Sequence, residues 1–444
     1  MGTPDDLAAR AGVKRLLARE LSPASAVQIA LLNNRELQAA YADVGIAQAD
    51  LVQAGLLRNP VFDGAVTWFN DAGNAPNLAF GLAWSFTDLL RRPKRKAVAS
   101  SALEEAKLRV ARKIITHAAD THAAFLRYVA ARQEVELLHG VERSARAALK
   151  AAKALREAGN ITALDFERHQ NFLTTTKLER AQAEARADEA REALNVLMGV
   201  TGSQTGWSAP ARLPDVPAKG VADASDTFAA ERRAVAASLD IELARQRLTT
   251  LGRQFRLVRK ESLLPDVETG IEFERDVEVE RDEDTGRKKK KFRRALGPTF
   301  AIEIPIFDRG QARKAGALLK IQQAEDELWA TAVKVRSATR LASLRLETAR
   351  RTMTYVRKAV LPQAERILRG TQRDYNAMQR SVFQLIAARR QQILAGRQYI
   401  QAQQAYWLAL VRFQQLMSGS LPGGAGMQQL EVAATPAGEG SGGH

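Results

Sequence analysis

The chain has no cysteine, few aromatic residues and no long apolar run. Without cysteine there are no disulfides, no thiolate-held metal and no thiol to carry a lipid, and redox chemistry says nothing about compartment. No stretch approaches the roughly 20 apolar residues of a membrane-spanning helix. The first 20 residues, MGTPDDLAARAGVKRLLARE, lack the apolar segment of a secretory signal, so the expectation is either a cytoplasmic protein or one whose targeting segment has been removed. Aromatics make up 6% of the chain, too little to fill a thick core. Alanine, glutamine and arginine instead suit long helices packed closely on one another.

The usual signatures of catalysis are missing too. No HExxH, Walker A or GxSxG spacing occurs. His117 and His122 are five residues apart and do not share a helix face as an i, i+4 metal pair would, while His139 and His169 are isolated. The match of Gly438, Gly440 and Gly443 to GxGxxG has no strand before it and no helix after it, and is a chance pattern. Carboxylates sit beside Lys and Arg on helix surfaces. The expectation is a protein that is not an enzyme and holds no metal or cofactor. Its charge, by contrast, is lopsided: +16 overall, which favours anionic partners such as nucleic acid or lipid phosphate.

What is present is a duplication. The segment from Asn160 to Gly199 aligns with Gln379 to Ser418, placing Met198 on Met417 at an offset of 219; Ala97 falls on Ala315 at an offset of 218, a slip of one residue. The reading is an N-terminal segment (1–20), a first copy (21–199), a Pro/Gly-rich connector (200–225), a second copy (226–418) and a flexible tail (419–444), disordered beyond about Ala433. In the first copy the pattern predicts a helix from Pro23 to about Leu57, a hairpin over 61–87, a long helix from Asp88 to about Ala158 and another from Thr162 to Met198. The second predicts Asp226 to Leu263, a hairpin over 267–307, Arg309 to Asp374, and Ser381 to Met417. The long helices would reach roughly 100 Å at 1.5 Å per residue, and two shorter ones end to end would match one of them. Val110, Ile114, Thr121, Ala124, Tyr128, Ala131, Val135 and Leu138 form one seam and Ile115, Ala118, Phe125 and Val129 a second, as in a closed ring of helices; an ordinary multi-helix bundle is the alternative.

The hairpins alternate strictly. Leu78, Phe80, Leu82, Trp84 and Phe86 share one face; Ala79, Gly81, Ala83 and Ser85 share the other. The helices are committed to each other, so the large face is read as lipid-facing rather than as a soluble core. In the second hairpin Val267, Thr269, Ile271, Phe273, Val277 and Val279 oppose a face of Glu268, Glu272, Glu274, Asp276, Glu278 and Glu280. One register sets Glu280 against Lys289, Glu278 against Lys291 and Asp276 against Arg293, and at once Val277 against Phe292 and Phe273 against Leu296. Four strands cannot close a barrel, for which about eight are needed, so copies from other chains are implied.

Basic residues crowd the junctions of helix and strand: Arg91, Arg92, Lys94, Arg95 and Lys96, then Arg259 and Lys260, then Arg313 and Lys314. Such a ring would hold lipid phosphates at one membrane face, with the run Arg287 to Arg294 at the other. Either run alone resembles a nucleic-acid patch, but placement around the strands argues against it.

The order helix, hairpin, long helix, helix, given twice, with ALLNN at Ala30 to Asn34, AGLLRNP at Ala54 to Pro60 and VLPQAERIL at Val360 to Leu368, resembles the TolC-like outer-membrane efflux factors over Leu16 to Gly419. That resemblance implies a mainly α fold with a small β part: a homotrimer with a long α-helical barrel and a transmembrane β-barrel, in the outer membrane of a Gram-negative bacterium and extending into the periplasm. It would be the exit duct of a tripartite pump, docking a periplasmic adaptor and an inner-membrane transporter at the turns containing Gly159 and Asn160, and Ala377 and Met378. Asp165, Tyr375 and Arg380 would tie the helices at a closed gate, and Gln384 and Ala387 stand where family members narrow the tunnel with acids. A soluble long-helix coiled-coil scaffold and a basic nucleic-acid-binding protein remain the alternatives.

Overall fold

The computed structural model describes residues 4–68, 76–217, 226–281 and 288–423, and the side chains of these apart from 4–6 and 278–291. The GxGxxG match, most of the tail, the end of the connector and the side chains of Glu278, Glu280, Lys289 and Lys291 lie outside that description. After a short helix α1 (Pro4–Leu17), the first copy forms α2 (Pro23–Asn33), α3 (Arg35–Ala54), β1 (Val61–Thr67), β2 (Asn77–Ser85), α4 (Phe86–Glu157) and α5 (Ala163–Met198). The second forms α6 (Thr227–Ala237), α7 (Leu239–Leu263), β3 (Val267–Arg281), β4 (Lys288–Ile302), α8 (Gln311–Tyr355), α9 (Leu361–Asn376) and α10 (Val382–Met417). Among the described residues no helix is long and apolar enough to cross a membrane.

Two helices expected to be continuous are broken. Asn34 takes an extended ψ of 123°, and its Oδ1 accepts the Leu37 N–H at 3.0 Å, capping the start of α3. Ser238, with ψ 111°, does the same for α7, its Oγ accepting the Ile241 N–H at 3.3 Å. The apolar period runs through both sites, so only the capping side chain marks the break. A third irregularity separates α8 from α9, where Val356–Val360 forms a π turn and the Leu361 N–H reaches back to Val356 O. Pro362 lies two residues beyond Val360, and its missing N–H loosens the α-helical ladder there. A π turn accommodates one residue more than an α turn. It accounts for the slip from 218 to 219 between the copies.

The fold divides into two compact units, each drawing on both copies: 1–41, 109–241 and 331–444 in one, 42–108 and 242–330 in the other. The first holds the buried core. Leu21, Ile29, Phe125, Leu126, Val129, Leu194, Met198 and Trp207 pack as one cluster, and Leu346, Met353, Tyr406, Leu410 and Phe413 as another. The described part of the connector is anchored here. The Trp207 indole N–H donates to Asn195 Oδ1 at 2.8 Å, its ring lies 4.2 Å under the Arg191 guanidinium, and Arg191 also donates to Trp207 O and Thr205 O. The ALLNN motif has a matching role: Asn33 Nδ2 donates to Gly199 O at 2.6 Å and Asn34 Nδ2 to Leu197 O at 3.1 Å, satisfying carbonyls at the end of α5.

The second unit carries the sheet, four antiparallel strands in the order β1-β2-β3-β4. Its β3–β4 register is the one the sequence demands on both faces, with Asp276 opposite Arg293, Val277 opposite Phe292 and Phe273 opposite Leu296. The sheet is open, not a closed barrel, with β1 and β4 at its edges.

Candidate functional site

Alternation and register together give the sheet two unlike faces. Phe62 stands beside Leu82, Leu82 beside Ile271, and Phe80 beside Phe273, extending the apolar face across β1, β2, β3 and β4. This face is uncovered: Phe62 is 69% exposed, Leu296 74% and Phe300 77%. Its area in large residues is what a soluble monomer avoids exposing. On the opposite face the small residues of β2 meet the acids of β3: Ala79 opposite Glu274, Gly81 opposite Glu272 and Ser85 opposite Glu268. Asp63 of β1 lies on the other side of Gly81, and a Cβ at Gly81 would come within 2.6 Å of the Asp63 carboxylate. Glycine there lets the acid lie across the strand.

The expected basic ring divides into two groups. Arg91 donates to Leu264 O at 2.7 Å, Arg92 to Gly55 O at 2.5 Å, Lys260 to Leu90 O at 2.6 Å and Lys314 to Arg309 O at 3.1 Å, while Arg95 pairs with Asp88 and Arg313 with Asp308. These cations fix chain reversals between helix and strand. Lys94 and Lys96 instead line an open cleft of about 420 Å³ with Arg253 and Arg256, and Arg259 is exposed.

The helix turns of the first unit share one design at repeat-equivalent positions. α4 ends with Gly159 at φ 76° and an Asn160 N–H to Leu155 O bond of 2.8 Å; α9 ends with Met378 at φ 60° and a Gln379 N–H to Asp374 O bond of 2.8 Å. Thr162 then caps α5, its Oγ1 accepting the Asp165 N–H, and Ser381 caps α10 in a reciprocal pair with Gln384. Asp165 is held within its own turn, accepting from Thr162 Oγ1 at 2.8 Å and from Arg168 at 3.2 Å. Arg380 bonds Asp374 at 3.3 Å. Tyr375 is half-buried beside that pair in sequence. Within the chain, then, Asp165 and Arg380 are each paired locally rather than with one another. The link between the two turns runs through Arg168, whose guanidinium lies 5.3 Å over the Phe383 ring of α10. Sequence reasoning missed Arg168, Asp374 and Phe383, although the i, i+3 spacing of Asp165 and Arg168 was a visible signal. Gln384 and Ala387 are exposed, and Met378 is 94% exposed. Four residues beyond Asp165, buried His169 is held below the ordinary imidazole range by burial, against the pull of the Asp165 carboxylate.

Residues 26–200 match the family described as "Outer membrane efflux protein". Over 386 residues the chain is 24% identical to the cobalt-zinc-cadmium resistance protein CzcC of Cupriavidus metallidurans, covering 87% of each. Among solved structures it superposes on a membrane protein from Pseudomonas aeruginosa with TM-score 0.72 and 19% identity, covering 93% of this chain and 91% of that one. It superposes equally on the Campylobacter jejuni CmeC outer membrane channel, with TM-score 0.72, 15% identity and coverage of 94% and 90%.

Proposed function

We propose that this chain, a TolC-like outer-membrane efflux factor, is the outer-membrane exit duct of a tripartite efflux system, passively conducting what an inner-membrane transporter and a periplasmic adaptor hand over. The observation that carries the reading is the open four-stranded sheet with one uncovered apolar face and one small, acidic face. A bilayer tolerates no open sheet edge, so β1 and β4 must pair with neighbouring copies. Three copies closing one barrel is the assembly proposed, with apolar residues toward lipid and Asp63, Glu268, Glu272 and Glu274 toward the lumen. A lumen of that charge favours cations. The same copies would cover the exposed helix residues Trp329, Val333 and Leu344.

The turns at Gly159–Asn160 and Ala377–Met378 are the proposed adaptor contacts. Asp165, Tyr375 and Arg380, with Asp374, Arg168 and Phe383, are the proposed gate, in which charge-assisted bonds hold one of two helix arrangements. Arg380→Ala or Asp165→Ala should raise single-channel conductance in planar bilayers. Unchanged conductance in both would place the gate elsewhere, and a wild-type protein that gives no channels would remove the duct itself.

A further inference from the structure

Two arginines stand where the alternation calls for apolar residues. Arg275 shares the phase of Phe273 and Val277, Arg294 shares that of Phe292 and Leu296, and the two are direct cross-strand partners. Like charges directly opposite one another destabilise a sheet. Their same-face neighbours in the adjoining rows are all apolar: Leu78 opposite Arg275 on β2, then Phe273 with Leu296 and Val277 with Phe292. The acids of β3 project from the other face and cannot neutralise the pair. Arg275 Nε is buried without a hydrogen-bond partner among the described residues, its guanidinium lies 5.8 Å from the Phe292 ring centroid, and its Nη2 donates to Pro76 O at 3.4 Å. Arg294 is exposed.

Their height on the sheet suggests what sits between them. Val66, Leu78, Arg275 and Arg294 form the last row of the apolar face that all four strands share, and among the described residues only β3 and β4 carry that face past it. From Ile302, in the same phase at the other end of β4, Arg294 is about 26 Å along the strand at ~3.3 Å per residue. A tilt of about 40° turns that into about 20 Å along the membrane normal, which brings the pair close to the edge of the ~25 Å apolar band of an outer-membrane barrel. The pair thus lies at the level of head groups rather than of acyl chains.

We propose that Arg275 and Arg294 form a binding site for the phosphate monoester of an anionic membrane lipid. This rests on the reading of the apolar face as lipid-facing. Two planar guanidinium forks suit bidentate bonds to phosphate oxygens, and the anion turns a repulsive pair into a bridged one. Phe273 and Leu296, one row nearer the middle of the apolar band, would lie along the first acyl carbons.

The test uses Leu296→Trp protein reconstituted in phosphatidylcholine vesicles containing dibrominated phosphatidic acid or, at equal mole fraction, dibrominated phosphatidylcholine. Brominated phosphatidic acid should quench the added tryptophan emission several-fold more effectively. The preference should vanish when Arg275→Gln and Arg294→Gln are combined, persist in part with Lys at both positions, and weaken with Arg294→Gln alone, a surface change that spares the fold. Equal quenching by the two lipids would overturn the phosphate site while leaving the lipid-facing reading intact. No quenching by either would overturn both. Loss of the preference on adding millimolar inorganic phosphate would assign the pair to free phosphate rather than to lipid.

Discussion

Met378 and Gly159 occupy equivalent places in the two copies, yet one carries a side chain at φ 60° and the other none at φ 76°. A Cβ in the left-handed region costs roughly 1–2 kcal/mol. Glycine removes that cost but brings roughly 0.5–1 kcal/mol of backbone entropy lost on folding. Met378 is 94% exposed, so its side chain contributes almost no packing. Met378→Gly should therefore stabilise the α9–α10 turn by about 0.5–1 kcal/mol, and Gly159→Ala should destabilise the α4–α5 turn by a similar amount. Hydrogen exchange reads each locally. Protection of the Gln379 amide, bonded to Asp374 O, should rise about two- to five-fold in the first variant, and that of the Asn160 amide, bonded to Leu155 O, should fall by a similar factor in the second. Unchanged or reduced protection at Gln379 would refute the strain argument. The proposed adaptor contact would give that strain a reason to persist: on that reading, Met378→Gly should weaken adaptor binding while it tightens the turn.

Trp207→Ala should cost about 3–5 kcal/mol, because it empties a core site and strips Arg191 of its stacking surface, and should appear as a lowered denaturation midpoint with the helix turns unaffected. His169 is held neutral in the fold, so below its ordinary pKa of about 6.5 the unfolded chain takes up a proton the folded chain resists. Stability is therefore full above pH ~6.5 and falls as pH drops toward the folded value, by at most about 1.4 kcal/mol per pH unit; His169→Gln should flatten that slope, and an unchanged slope would show that the half-buried histidines His117 and His122, which burial also lowers, dominate it. If the acids of the small face line the lumen, reversal potentials in a salt gradient should show cation preference, reduced in Asp63→Asn combined with Glu272→Gln; anion preference in the wild type would contradict the assigned face.

What the sequence revealed depended on how many constraints met at one residue. The β3–β4 register was legible because acid–base pairing and apolar pairing agree on a single alignment, so Asp276 with Arg293 and Val277 with Phe292 were fixed together. The one-residue slip between the copies was legible as an offset, but its cause, a π turn before Pro362, needed the backbone. The breaks at Asn34 and Ser238 were hidden because one capping side chain interrupts an otherwise unbroken apolar period. Trp207 read as part of a Pro/Gly-rich connector because nothing local announces that Arg191 and Asn195, on α5, will hold it. The gate candidates came from resemblance. Of their local partners, Arg168 was signalled by its i, i+3 spacing from Asp165, whereas Asp374, six residues before Arg380, became apparent only once the turn was folded.

The central claim is that three chains close one barrel and one tunnel. Images of the detergent-purified protein test it directly: end-on views should show a three-fold ring around an open centre, with strands continuous between neighbouring chains from β4 to β1. A monomeric particle, or a solid bundle with no lumen, would contradict it.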